Sequence, residues 1–302
     1  MAHDHGHSHA PASFGRAFAI GIALNTAFVV IEATFGILAH SLALVADAGH
    51  NLSDVLGLVL AWGASVLVRR SPTLRRTYGL RRSSILAALF NAVFLLVAIG
   101  IIAWEAVGRF AHPQPVAGGT VIWVALVGIV INTATALLFL AGRKDDLNIR
   151  GAFLHMAADA GVSLGVVLAG IAIIFTGWQW LDPTVSLVIV AVILLGTWGL
   201  LRDSVNLALD AVPEGIDAEA VTAYLAALPG VAEVHDLHIW GMSTTETTLT
   251  AHLVIPGIRD GDALLARVCA ELHDRFGIEH ATVQVERGDP AHPCTLASGE
   301  VV

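Results

Sequence analysis

Apolar runs long enough to cross about 30 Å of hydrocarbon recur six times in the first two thirds of this 302-residue chain. They fall near Phe14–Leu38, Leu42–Val68, Ser83–Phe110, Gly118–Ala141, Gly151–Thr176 and Thr184–Leu201. Segments of this length predict an all-α bundle of six transmembrane helices, because a helix satisfies its own backbone polar groups in lipid. The composition agrees. Hydrophobic residues make up 56% of the chain and charged residues only 14%, against about 25% charged in a soluble domain. That balance excludes a disordered chain, a nucleic-acid binder and an ordinary soluble enzyme. Two cysteines exclude a disulfide framework.

Charge divides the chain. Residues 1–202 hold 9 acids and 12 Lys or Arg, whereas residues 203–302 hold 16 acids against 4 Arg, a formal charge of −12. The tail therefore reads as a separate solvated unit. The loop after the second span, RRSPTLRRTYGLRR, carries six arginines, and the loop after the fourth adds Arg143, Lys144 and Arg150. The opposite loops (AHS, HPQPVAGG, GWQWLDP) are nearly free of Lys and Arg. The positive-inside bias then places both termini in the cytoplasm, and puts Trp178 and Trp180 in an outer interfacial belt. The first dozen residues lack the apolar core of a signal peptide. The expected organisation is a His-rich leader over 1–13, a six-span transmembrane domain over 14–209, a cytoplasmic domain over 210–290 and a flexible end over 291–302.

Carboxylates at membrane depth are costly and mark function. In the second span Asp47, His50 and Asp54 lie at i, i+3 and i+7 and share one helical face. In the fifth, His155 and Asp159 lie at i and i+4. Two helices thus each offer H-x-x-x-D. Packed together, His50, Asp54, His155 and Asp159 supply two imidazole nitrogens and two carboxylate oxygens, a tetrahedral set suited to Zn²⁺ before Mg²⁺ or Ca²⁺. Asp47 reads as an outer partner of that site or a cavity-wall group. Ala46, Ala48, Gly49, Gly57, Ala157, Ala158 and Gly161 fit close helix approach around it, or plain packing. Asn25, Glu32, Glu105 and Asn132 either line a pathway or make interhelical hydrogen bonds, the second being the expectation for the two Asn.

With SLALVADAGHNLSD, the second H-x-x-x-D, LDPTVSLVI, VHDLHIW and LTAHLVI, the sequence resembles the cation diffusion facilitator family, in its bacterial zinc-efflux branch. The resemblance implies a homodimeric proton antiporter of the bacterial inner membrane. It would export Zn²⁺, with Cd²⁺, Co²⁺ and Ni²⁺ as further candidates, using His50, Asp54, His155 and Asp159. Protons would compete with metal for these groups, since imidazole of reference pKa about 6.5 changes charge in the working range. Some members bind a second metal in the loop after span two. Here that loop lacks His and Asp, so no such site is expected. Arg82 corresponds to a basic interlock residue for an acid before the tail, here Asp210, and an Arg82–Asp210 salt bridge is expected.

The tail reads as helix (DAEAVTAYLAAL), strand (AEVHDLHIW), strand (TTLTAHLVI), helix (GDALLARVCAELHDRF) and strand (HATVQVE). This α-β-β-α-β order resembles the family's metallochaperone-like α+β domain. Alternation puts Leu237, Ile239, Leu249, Leu253, Ile255, Val283 and Val285 on the core face, with His238, His252, Gln284 and Glu286 opposite. His252 and Glu286 are candidates for a regulatory zinc. The family's site implies His235 as well, which strict parity sets on the wrong face unless a bulge intervenes. Gln284 replaces the family's third-strand His, so Cys294 or His292 would complete the site. Cys269 reads as core. His3, His5, His7 and His9 form a weak metal-gathering tract with a modulating role.

Two other classes remain as alternatives. An intramembrane zinc hydrolase needs an open coordination position and a general base, and no H-E-x-x-H occurs. A membrane metal sensor would signal through the tail without transport. No phosphate-binding G-x-x-x-x-G-K-[ST] motif is present, so the expected transporter is gradient-driven and not an enzyme.

Overall fold

The computed structural model describes residues 16–68, 70–139, 147–258 and 260–297. The leader histidines His3, His5, His7 and His9, and the loop residues Arg143 and Lys144, lie outside the described residues. Six long helices come first: α1 (Arg16–Leu38), α2 (Leu42–Val68), α3 (Ser83–Ala111), α4 (Gly118–Phe139), α5 (Leu147–Thr176) and α6 (Leu181–Ala208). Among the described residues, five are long and apolar enough to cross a membrane, and the described apolar part of α1, Ile22–Leu38, is shorter. Helix α6 continues past the expected Leu201, because RDSVNLA offers no Gly or Pro to stop it. The protein is a multi-pass membrane protein with a small terminal α+β domain. The chain sorts into two compact units, Met1–Val59 with Asn91–Trp198 and Leu60–Phe90 with Gly199–Val302.

In the first unit Phe28, Leu44, Ile99, Val121, Val124, Val166 and Ile189 form the buried centre. Trp104, Trp123 and Phe175 stand exposed, as expected of side chains solvated by lipid rather than water. Lipid tails give no hydrophobic drive for helix association, so small residues that admit close backbones do the packing. A Cβ on Gly118 would lie 2.9 Å from Ile174 Cγ1, and one on Gly128 only 2.6 Å from Phe28 Cζ. This differs from the close approach read around Ala157, Ala158 and Gly161. Those three are exposed, and nothing lies within 4 Å of a Cβ on Gly161.

The N-terminus of α2 is capped from another helix. Asp182, in the first turn of α6, accepts from Leu42 N (2.8 Å), Ala43 N (3.4 Å) and Ser41 Oγ (2.5 Å), satisfying donors that every helix start leaves open. Arg109 of α3 lies 3.7 Å from the same carboxylate and donates to the His40 carbonyl. Trp178 and Trp180 stack at the α5–α6 turn, with centroids 5.5 Å apart. Glu105 departs from the expectation of a pathway group: it is half exposed and pairs with Arg109 one turn on. Asn132 departs too. Its side chain is fully buried, and neither amide atom has a hydrogen-bond partner.

In the second unit the tail folds as α7 (Ala218–Ala226), β1 (Glu233–Gly241), β2 (Thr247–Val254), α8 (Gly261–Phe276) and β3 (Ile278–Glu286), the expected order. Asp217 and Asp260 cap α7 and α8, and Gly277, at φ 66°, ends α8 in the left-handed conformation. The sheet order is β1-β2-β3, antiparallel then parallel. Its core is Val221, Leu225, Leu249, Leu253, Val268, Leu272 and Ile278. Cys269 is exposed, not core. The buried stripe of α8 runs through Val268 and Leu272 at i and i+4, and the residue after Val268 is turned about 100° away from it.

Candidate functional site

Among the described residues, two clusters gather His, carboxylate and thiol groups. The first lies wholly in the first unit. His50 Nε2 is 3.7 Å from Asp54 Oδ2 and 3.4 Å from Asp159 Oδ1. His155 Nε2 is 3.1 Å from Asp54 Oδ2 and 3.6 Å from Asp159 Oδ2. The rings meet edge to face, centroids 5.7 Å apart. All four donor atoms lie within 4.8 Å of one another. A tetrahedron with bonds of about 2.0–2.1 Å has edges of about 3.3 Å, and these separations bracket that value. Asp54 Oδ2 and Asp159 Oδ2 are buried beside the His155 imidazole and accept no hydrogen bond among the described residues. Asp159 is nearly sealed at 3% side-chain exposure, while His155 is 39% exposed. The cluster is therefore closed at the Asp159 end and open at the His155 end.

Asp47 makes no hydrogen bond or ion pair with these four among the described residues. Its Oδ2 accepts from Ser163 Oγ at 3.2 Å, and it neighbours Glu32. Glu32 in turn accepts from Asn51 Nδ2 at 3.1 Å. The Asn51 and Ser163 contacts escaped sequence reading, although each follows a donor on its helix, Asn51 by one position and Ser163 by one turn.

The second cluster lies on the tail sheet. A register shift between His235 and His238 places His235 opposite His252, with Asp236 at φ 50° as the extra residue. Asp tolerates the left-handed region better than most residues, and a bulge re-aims its neighbours. This overturns the strict alternation that set His235 against His252. Their rings are 5.2 Å apart. His252 Nδ1 is 2.9 Å from Glu286 Oε1 and 3.5 Å from Cys294 Sγ, and His235 Nε2 is 3.6 Å from the same carboxylate. Both ring nitrogens of His235 are buried without a hydrogen bond. Cys294, rather than His292, joins the set. Gln284 donates to Glu286 at 2.9 Å, so the residue in the place of a third-strand ligand holds the carboxylate instead. Asp236, unread in the sequence, lies 3.5 Å from His252 Nε2 and 3.0 Å from His238 Nε2.

Burial pushes the Glu286 carboxyl up, but hydrogen bonds from Cys294 and Gln284 and the two nearby imidazoles outweigh it and hold its pKa below the usual range. For the Cys294 thiol, a hydrogen bond from the Leu296 backbone N–H pulls down, and burial with the facing Glu286 carboxylate wins and raises it. The thiol thus keeps its proton until a cation takes its place. Elsewhere in this unit Arg82 Nη2 donates to Asp210 Oδ1, both side chains half exposed. Arg81 adds a 2.6 Å bond to Glu246 that the sequence did not signal.

Residues 18–207 match the family described as the cation efflux transmembrane domain, and residues 213–288 match the cation efflux protein cytoplasmic domain. The zinc transporter ZitB of Escherichia coli is 38% identical over 306 residues, covering 99% of this chain and 97% of its own. The cadmium, cobalt and zinc/H(+)-K(+) antiporter of Bacillus velezensis is 35% identical over 297 residues, covering 97% and 95%. The solved metal-bound C-terminal domain of the CzcD transporter from Cupriavidus metallidurans is 35% identical and covers 24% of this chain and 99% of that one, with a TM-score of 0.23. The paired domain matches and the full-length relatives leave one assignment: the chain belongs to the cation efflux family.

Proposed function

We propose that the protein is a secondary active exporter that moves Zn²⁺ out of the cytoplasm in exchange for protons, with His50, Asp54, His155 and Asp159 holding the ion in transit. The observation that carries this is the convergence of the four donors, all within 4.8 Å of one another and at separations near a tetrahedron's edge. Related transporters named for zinc, cadmium and cobalt support metal as the cargo, with Zn²⁺ first and Cd²⁺, Co²⁺ or Ni²⁺ as further ions. Neutral imidazole and ionised carboxylate bind metal, and a proton on either releases it. An acidic exterior therefore discharges the cargo, and the protonated site returns inward. The Arg-rich 69–82 loop supports an inner-membrane topology with both termini cytoplasmic.

The tail is the regulatory and dimerising part of this reading. His235, His252, Glu286 and Cys294 would hold a resident zinc, for which the orphaned His235 nitrogens, the thiol and the carboxylate are a fitting donor set. Metal there offsets the −12 formal charge and favours tail-to-tail contact in a homodimer. The test is flux in proteoliposomes. Zinc uptake coupled to counter-movement of protons, lost in Asp54→Ala and in Asp159→Ala, supports a carrier. Zinc binding with no flux supports a sensor.

A further inference from the structure

We propose that Glu32 of α1 and Asp47 of α2 share a single proton and form a proton site separate from the four metal donors. Both side chains are fully buried, and the two carboxyl groups neighbour one another. Each has one oxygen served: Asn51 Nδ2 donates to Glu32 Oε2, and Ser163 Oγ donates to Asp47 Oδ2. The other two, Glu32 Oε1 and Asp47 Oδ1, are buried and receive no hydrogen bond from a donor among the described residues. No Lys or Arg pairs with either group among the described residues. The charged or titratable neighbours acting on the pair are His50 on α2 and Asp159 on α5.

Two ionised carboxylates cannot stand together, unpaired, at this depth: each loses its hydration and repels the other. One proton removes one charge and supplies the donor that both groups lack. It comes from water and returns to water, so no co-reactant is needed. The links to the metal cluster run through both donor helices. Asn51, which holds Glu32, adjoins His50, and Ser163, which holds Asp47, lies one turn beyond Asp159. A shift of α2 against α5 on loading or releasing metal therefore breaks or restores the Ser163–Asp47 hydrogen bond, and a shift of α2 against α1 the Asn51–Glu32 bond. Such a pair adds an exchangeable proton to those competing directly for the metal ligands. This coupling step rests on the antiport reading above, whereas the shared proton does not.

Infrared spectroscopy of the full chain in proteoliposomes reads the proton directly. At neutral pH the wild-type protein is expected to show a protonated-carboxyl C=O band that shifts on deuteration, and Glu32→Gln and Asp47→Asn are each expected to abolish it. Absence of the band from the wild type, or its survival in either variant, overturns the proposal. A companion flux measurement on Glu32→Gln, with Zn²⁺ and a proton-sensitive dye, is expected to give a lower proton-to-zinc ratio than wild type. In detergent the variant is expected to bind as many Zn²⁺ ions as wild type. An unchanged ratio, or loss of one bound Zn²⁺, overturns the proposal, the latter by making the pair a metal site. If the wild type moves zinc without protons, the antiport reading fails, and the infrared result alone decides the pair.

Discussion

Asp159 touches both imidazoles of its cluster and is the most deeply buried of the four donors. Its removal leaves two histidines facing one carboxylate, with no second oxygen to close the tetrahedron. Asp159→Ala, in a background lacking His235 and His252, is expected to weaken Zn²⁺ binding by at least about 100-fold by calorimetry, since loss of even an outer-shell partner costs about 10–100-fold. Asp236→Asn keeps a side chain tolerant of φ 50° and removes the carboxylate facing His252. It is expected to weaken zinc at the tail cluster by about 10-fold, and unchanged binding would show that Asp236 only shapes the bulge. At this scale the face shared within each H-x-x-x-D pair was legible, because i,i+4 spacing fixes it whatever the packing. His235 was legible only through the family resemblance, because counting alternate residues cannot see one extra residue in a strand. The Glu32–Asp47 contact was not, because sequence spacing says nothing about which face of α1 meets α2.

Among the elements, α2 carries two of the four donors, and its start is fixed by Asp182 from α6. Asp182→Ala removes a cap and strands Arg109 beside a buried gap. A lost cap costs about 1 kcal/mol and an unpaired buried group about 1–3 kcal/mol more, so thermal unfolding in detergent is expected several degrees lower. Gly128 makes the complementary point about packing. Gly128→Ala drives a methyl into Phe28 and is expected to destabilise by about 1–3 kcal/mol. Phe28→Leu in the same chain should recover part of that loss, and a failure to recover any would place the strain elsewhere. Helix number and the order of the tail elements along the chain could be read from apolar run length and alternation. The tight helix contacts could not: small residues on α2 and α5 looked equally apt, and only three-dimensional packing separates Gly118 and Gly128, which are pressed by neighbours, from Gly161, which faces open space.

For the whole molecule, charge is the organising variable: a basic loop after α2, an acidic tail, and between them the Arg82–Asp210 pair. With both side chains 51% exposed, such a pair contributes at most about 1 kcal/mol. Arg82→Glu is therefore expected to leave the melting temperature nearly unchanged while lowering zinc flux, and adding Asp210→Arg to restore flux. A flux unaffected by Arg82→Glu would remove the pair from the mechanism. The most direct test of the four-donor site is zinc K-edge X-ray absorption on the full chain with His235 and His252 replaced by Ala. The expected spectrum shows four nitrogen or oxygen neighbours at about 2.0–2.1 Å, with multiple scattering from two imidazoles. A six-coordinate, all-oxygen shell, or a single imidazole, would contradict a tetrahedral site built from His50, Asp54, His155 and Asp159.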